Sequence, residues 1–299
     1  MSLTSTVRLN NGVEIPWVGL GVFKSPPGRE TEQAVRWALE IGYRHIDTAA
    51  LYANESDVGR ALRDSGVPRD KVFITTKVWN TDQGYKETLK AFDASRRLLD
   101  IDVVDLYLIH WPIKGKYKDT WKALEKLLAD GKTRAIGVSN FLTHHLEDLK
   151  AGATVQPAVN QVEFHPFLVQ KELLDYDQKA GIRHEAWSPL TRGRSLDNPV
   201  FAEIARKHDR TPAQVVLRWH LQLGVVIIPK SVHHERILEN SKVFDFSLDD
   251  SDMQRITALD TGTRIGPHPD TMTAGGALRR REKCPAAGHP VIDHPPVRG

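Results

Sequence analysis

Strand-like apolar runs alternate with amphipathic helical stretches eight times along most of this chain. No other feature of the sequence narrows its possible folds as much. The strand candidates span 17–22, 44–47, 72–77, 104–110, 134–139, 158–163, 182–187 and 225–229. Helices are predicted at 30–41, 56–65, 85–99, 120–130, 143–151, 171–180, 198–207 and 234–240, with two more at 212–223 and 249–258. Eight strands, each followed by a helix, within about 240 residues match the count and length of a (β/α)8 TIM barrel of the α/β class. A doubly wound open sheet is the alternative, and it usually carries a glycine-rich strand–helix turn. Here "GLGVFK" offers only Gly19 and Gly21, and a strand-like Val-Phe follows, so both read as strand and turn glycines. Ahead of the first strand, "VRLNNGVEIP" predicts an N-terminal hairpin with Asn11-Gly12 as a two-residue turn.

Residues 1–270 read as one barrel domain, and 271–299 as a mobile C-terminal extension. From Gly266 on the sequence is rich in Gly, Pro and Ala and has no sustained apolar period. The formal charge of +3 also resides in that extension. Five of the 41 Lys/Arg and two of the 38 acidic residues lie from Thr271 onward, leaving 36 of each in 1–270. A neutral body implies no broad basic face for nucleic acid. No apolar run approaches the ~20 residues of a membrane span. The first residues lack the charged and apolar regions of a signal peptide. The single Cys284 leaves no internal disulfide, and a reducing cytoplasm is the expected location.

In a (β/α)8 barrel the chemistry sits at the C-terminal ends of the strands. The polar residues that end the apolar runs are Asp47, Lys77, His110, Ser139 with Asn140, Gln161, Trp187 with Ser188, and Lys230. Each has an ordinary structural explanation alone, such as a helix cap, a rim cation or a satisfied histidine. As a set they would converge on one rim.

The stretch "GYRHIDTAALYANESDVG" resembles the first signature of the aldo-keto reductases, with Gly42, Asp47, Glu55 and Gly59 in place. "RAIGVSNF" and "AVNQVEFHP" resemble the family's middle segments, and "IIPKSVHHERILEN" its C-terminal cofactor signature. The resemblance covers about 1–270, with the motifs in order. "EAWSPL" and the compact loops look similar to bacterial 2,5-diketo-D-gluconate reductase-type members. The resemblance implies a catalytic tetrad of Asp47, Tyr52, Lys77 and His110, with NADPH/NADP+ as cofactor. Ser139, Asn140 and Gln161 would hold the nicotinamide carboxamide, and Trp187 would stack on the ring. Ser188 and Leu190 would lie along the pyrophosphate. Lys230, Ser231 and Arg236 would take the 2′-phosphate, and Glu239 and Asn240 would face the adenine. Two departures stand out. Thr191 and Arg192 follow "SPL" where the family often has Gly, and His233 and His234 fill variable positions.

The chemistry of these residue types agrees. Hydride transfer to a carbonyl leaves an alkoxide that must be protonated. A free tyrosine, with a pKa of about 10, is a poor acid near neutrality. A nearby Lys77 is expected to lower the Tyr52 pKa, Asp47 to hold Lys77 charged, and His110 to donate a hydrogen bond to the substrate oxygen. Phe23, Trp79 and Trp111 are expected to line the pocket with His110. A small carbonyl compound is the expected substrate, and the protein is expected to be a monomer. A metal-dependent hydrolase is disfavoured, because the strand ends offer a lysine and amides instead of clustered metal ligands, and no metal is expected. The alternative reading is a cofactor-binding regulatory module without turnover.

Overall fold

The computed structural model describes residues 1–276. Its main sheet has eight parallel strands in strictly sequential order. They are β3 (Leu20–Gly21), β4 (His45–Asp47), β5 (Phe73–Val78), β6 (Val104–Ile109), β7 (Thr133–Ser139), β8 (Val159–Glu163), β9 (Arg183–Trp187) and β10 (Val226–Ile227). Backbone bonds join the last strand to the first. Gly19 N–H donates to Ile227 O at 2.8 Å, Ile227 N–H to Trp17 O at 3.0 Å, and Gly21 N–H to Pro229 O at 3.2 Å. The sheet therefore closes into a barrel without a free edge.

The two glycines of "GLG" are where this closure is tightest. A Cβ on Gly21 would lie 2.8 Å from Ile228 O, and one on Gly19 would lie 2.6 Å from the His45 ring. Any side chain there would push β3 off its neighbours, which accounts for the glycines without a phosphate-binding turn.

Helices α1 (Arg29–Ile41) to α6 (Lys171–Ala180) each connect one barrel strand to the next: α2 is Glu55–Asp64, α3 Tyr85–Leu99, α4 Tyr117–Ala129 and α5 Thr143–Lys150. Two helices, α7 (Pro199–His208) and α8 (Pro212–Gln222), precede β10, and α9 (His234–Ser241) and α10 (Asp250–Thr257) follow it. Local chemistry sets the boundaries. Gly42 ends α1 at φ 114°, its N–H bonded to Ala38 O and Leu39 O. Thr211 and Gln214 form a reciprocal capping box at the start of α8, with Pro212 in its first turn. The main apolar core lies between strands and helices.

The N-terminal hairpin pairs β1 (Thr6–Arg8) with β2 (Glu14–Pro16). Its loop has three residues instead of two. Leu9 N–H donates to Val13 O at 2.8 Å, so Asn10, Asn11 and Gly12 form the turn, with Gly12 at φ 87°. The side chains explain the longer loop: Asn10 Nδ2 reaches Pro157 O and Asn11 Nδ2 reaches Arg134 O, both at 2.9 Å. Leu9 and Ile15 pack with Phe73, Leu106, Leu108, Val159 and Val226, plugging the end of the barrel opposite the expected site.

The stretch that begins the expected extension is packed as far as it is described. Thr263 N–H donates to Phe167 O, and Ile265 and Gly266 N–H donate to the carboxylate of buried Glu163. Asp270 lies 3.0 Å from His144 Nε2 and 3.2 Å from His145 Nε2. Met272 and Ala274 rest against Trp79, Trp111 and Ile113. These apolar and carboxylate contacts outweigh the poor local propensity of the Gly/Pro-rich sequence. The rest of the expected extension, 277–299, lies outside the described residues.

Candidate active site

Asp47 ends β4, and a short helical turn at Ala50–Tyr52 brings Tyr52 back over the barrel mouth. Lys77 is the penultimate residue of β5, and His110 directly follows β6. Register thus brings together residues spread over more than sixty positions. The Lys77 ammonium is fully buried and donates to Asp47 Oδ1 at 2.7 Å, Thr48 O at 2.9 Å and Tyr52 Oη at 3.5 Å. All three of its hydrogens are thereby used. The other carboxylate oxygen, Asp47 Oδ2, accepts from Gln161 Nε2 at 2.8 Å. The His110 ring meets Tyr52 edge-on at 5.7 Å between centroids and Trp79 edge-on at 5.0 Å.

These contacts fix the protonation states. Burial alone would pull Lys77 down, but Asp47 and Tyr52 hold its pKa above the ordinary lysine value. Burial pushes the Asp47 carboxyl up, against the pull of Lys77. With both its oxygens accepting N–H bonds, the pair stays ionised. The sequence led us to expect a lowered Tyr52 pKa. Instead burial outweighs the pull of Lys77 and pushes the phenol up to about 12. Tyr52 therefore keeps its proton near neutrality. His110 is held well below its ordinary value by burial and then by the charge of Lys77. It is a neutral imidazole, able to donate a hydrogen bond but carrying no acidic proton to give away.

The residues expected to hold the carboxamide also converge, and two are already engaged. Ser139 Oγ donates to Gln161 O at 2.7 Å. Asn140 Nδ2 donates to His110 O at 2.9 Å and to Ser139 Oγ at 3.1 Å, while Asn140 Oδ1 accepts from Trp187 Nε1 at 2.8 Å. Trp187 is thus hydrogen-bonded in place as well as presenting a ring face. Gly266 packs against that ring: a Cβ there would lie 2.5 Å from Trp187 Cη2. Sequence reasoning passed over one neighbour. Glu185 on β9 is the register partner of Gln161, is fully buried and accepts from Gln161 Nε2 at 2.9 Å. Burial, then the charge of Asp47, pushes its carboxyl up to about 8. A carboxylate in the middle of a predicted barrel strand, "RHEAW", was the available signal.

The remaining expected residues form the outer part of the cleft. Ser188, half-buried, has φ 52°. Leu190 is followed by Thr191, Arg192 and Gly193, all at positive φ. Lys230 and Arg236 are exposed, and their side chains make no hydrogen bond or ion pair with any described residue. Partial burial lowers the Lys230 pKa against the opposing charge of Glu30. Ser231 Oγ is tied back to the backbone of His233, and the Glu239 carboxylate accepts from Thr211 Oγ1. Asn240 is buried. His233 occupies the N-cap position of α9 without a side-chain capping bond, and His234 packs edge-on against Trp37 at 5.5 Å. On the substrate side, the Phe23 ring lies 5.0 Å from Tyr52, while Trp79 and Trp111 are buried with Ile113.

This donor set fits NADPH. Two unpaired cations suit a phosphate monoester, and the buried amides and hydroxyl suit a carboxamide. The indole offers a face for an aromatic ring. An open acceptor, Gln161 Oε1, takes no hydrogen bond from the described residues.

Comparison with known proteins supports the same reading. Residues 18–261 match the model of the aldo/keto reductase family. The chain is 59% identical over 271 residues to a glyoxal reductase of Bacillus subtilis, covering 91% of this chain and 98% of that one. It is 53% identical over 273 residues to a 9,11-endoperoxide prostaglandin H2 reductase of Trypanosoma cruzi, covering 90% and 96%. Among solved structures, a mutant of Gox0644 in complex with NADPH superposes with a TM-score of 0.86 at 47% identity, covering 90% of this chain and 98% of that one.

Proposed function

The chain belongs to the aldo/keto reductase family and is an NADPH-dependent carbonyl reductase; from that premise we propose that Asp47, Tyr52, Lys77 and His110 are its catalytic centre and that small aldehydes, ketones or dicarbonyls are its substrates. The observation that carries this reading is the fully buried Lys77, which joins Asp47 to the hydroxyl of Tyr52. NADPH supplies a hydride when bound, and the carbonyl oxygen that receives the electron pair needs a proton. Tyr52 donates that proton. An alkoxide is a stronger base than the phenolate left behind, even with the phenol raised to about 12. Lys77 donates to Tyr52 Oη and stabilises that phenolate, and Asp47 keeps Lys77 charged and aimed. Neutral His110 donates a hydrogen bond to the substrate oxygen and orients the carbonyl. Solvent reprotonates Tyr52, which is only half-buried.

Lys230 and Arg236 would bind the 2′-phosphate, with Ser231 beside them. Ser188 and Leu190 would flank the pyrophosphate, and Glu239 and Asn240 the adenine. Ser139, Asn140, Gln161 and Trp187 would hold the nicotinamide. Phe23, Trp79 and Trp111 would pack on the substrate. Met272 and Ala274 narrow that pocket further, which favours small substrates. Glyoxal, in the name of the relative from Bacillus subtilis, fits such a pocket. Diketo sugar acids are the finer candidate from the sequence resemblance. The protein is proposed to act as a cytoplasmic monomer. No helix among the described residues is long and apolar enough to cross a membrane.

The test is NADPH consumption, followed by absorbance, over a panel of small aldehydes, dicarbonyls and bulky ketones. Turnover is expected to be highest with the small dicarbonyls. Equal turnover of the bulky ketones would contradict the narrow pocket. NADPH binding without turnover on any member would contradict the catalytic assignment.

A further inference from the structure

Glu185 is a buried ionisable group beneath the site that the mechanism above leaves without a task. It lies on β9 opposite Gln161 on β8. The two hydrogens of Gln161 Nε2 go to two different carboxyl groups, Asp47 Oδ2 at 2.8 Å and Glu185 Oε2 at 2.9 Å. A carboxyl oxygen can accept from an amide nitrogen but not from an amide oxygen. Turning the Gln161 amide over would set Oε1 against the ionised Asp47 carboxylate, acceptor facing acceptor, and leave Asp47 Oδ2 without its donor. The network therefore decides which end of the amide is which. Asp47 alone would leave the amide free to pivot about a single bond. A second acceptor on the neighbouring strand removes that freedom.

The atom left over is Gln161 Oε1. It accepts nothing from the described residues and is not among the sealed, partnerless atoms. Asn140 and Ser139 differ, because their polar atoms are already bonded to each other, to His110, to Trp187 and to the Gln161 backbone.

We propose that Glu185 is a positioning residue for the cofactor: with Asp47 it locks the Gln161 amide so that Oε1 is presented as the acceptor for the carboxamide N–H of the nicotinamide. This rests on the assignment of Gln161 to the carboxamide made above. Glu185 touches no reacting atom and acts through Gln161.

The experiment compares the dissociation constants of NADPH and of its reduced 3-acetylpyridine analogue, measured by quenching of protein fluorescence. The analogue keeps the carbonyl but has no N–H to donate. Wild-type protein is expected to bind NADPH more tightly than the analogue. Glu185→Met, which removes the second acceptor, should weaken NADPH about tenfold, the size of one hydrogen bond, and leave the analogue within twofold. Glu185→Gln, whose own amide oxygen can still accept from Gln161, should restore the wild-type preference. Glu185→Val replaces the methionine variant if that protein does not fold. Equal weakening of both cofactors by the apolar variant would show a merely structural role and overturn the proposal, as would no weakening of either. If wild-type protein binds NADPH and the analogue equally, the assignment of Gln161 to the carboxamide falls, and the role of Glu185 falls with it.

Discussion

Lys77 and the pair Lys230 and Arg236 are all cations assigned to one cleft, yet they are built in opposite ways. Lys77 is fully buried and directs every ammonium hydrogen at the protein. Lys230 and Arg236 stand in solvent and make no ion pair with a described residue. The difference follows from what each end of the cleft has to do. Stabilising charge that develops in a reaction requires dipoles already in place, because reorganisation during the reaction raises the barrier. Recognising a phosphate requires cations that gain a partner on binding, so a prior partner would have to be displaced first. Preorganised groups should respond to mutation in rate, and unpaired ones in affinity.

The largest expected effect is at the buried end. Tyr52→Phe removes the hydroxyl proposed to donate the proton while keeping the ring packed on Phe23 and His110. We expect kcat to fall by about 10³–10⁴, with the NADPH dissociation constant within twofold of wild type. Unchanged turnover would remove Tyr52 as the acid. With the phenol raised to about 12, reduction should show no loss from Tyr52 between neutral pH and about pH 11. Alcohol oxidation, which needs the phenolate as base, should keep rising with pH over that range.

The next effect is on stability. Glu185 has its folded pKa raised to about 8 from an ordinary value near 4.5. The folded state therefore holds a proton that the unfolded chain releases between those values. Its contribution is fully present below about pH 4.5 and is lost as the pH rises through about 8, up to about 5 kcal/mol. Glu185→Gln cannot ionise, so its stability in urea titrations should decline less between pH 5 and pH 8.5 than that of wild type. Parallel decline in the two proteins would place Glu185 ionised throughout. At the phosphate end, Arg236→Ala should weaken NADPH tenfold to hundredfold and NADH not at all, with kcat at saturation unchanged. Equal weakening of both cofactors would contradict the 2′-phosphate role and erase the contrast between the two ends.

The legibility of the sequence divides along the same line. Apolar periodicity identified all eight barrel strands, because burial between barrel and helices imposes it directly. The strand-end rule located Asp47, Lys77, His110 and Gln161, because register puts the ends of parallel strands on one rim. Glu185 escaped because Trp187 and Ser188 end its run, and because its meaning depends on Gln161, which lies inside the adjacent strand at the same register. The raised Tyr52 pKa escaped because the pull of Lys77 is suggested by residue types, whereas burial depends on how deeply the loop sits. The packing of 264–274 escaped because local composition carried no trace of Glu163 and Trp79 waiting to receive it.

The smallest effect tests the loop joining the two ends. Thr191 is buried at φ 50°, and Arg192 and Gly193 follow at 58° and 78°. A β-branched residue in the left-handed region costs about 1–2 kcal/mol, because its Cβ crowds the backbone. Thr191 Oγ1 donates to Leu190 O at 2.7 Å, which offsets part of that strain. Thr191→Gly removes the clash and the hydroxyl bond together, and adds freedom to the unfolded chain. These terms leave a net gain of up to about 1 kcal/mol, a rise of roughly 2 °C in Tm. Thr191→Val keeps the branched Cβ and loses the bond, so it should lower Tm by a similar amount. If the loop belongs with the adaptable end, both variants should keep kcat within twofold and shift NADPH affinity by less than threefold. A Thr191→Gly variant that is more stable yet loses turnover tenfold would show that the strained conformation is held for the reaction, placing the loop with the preorganised end.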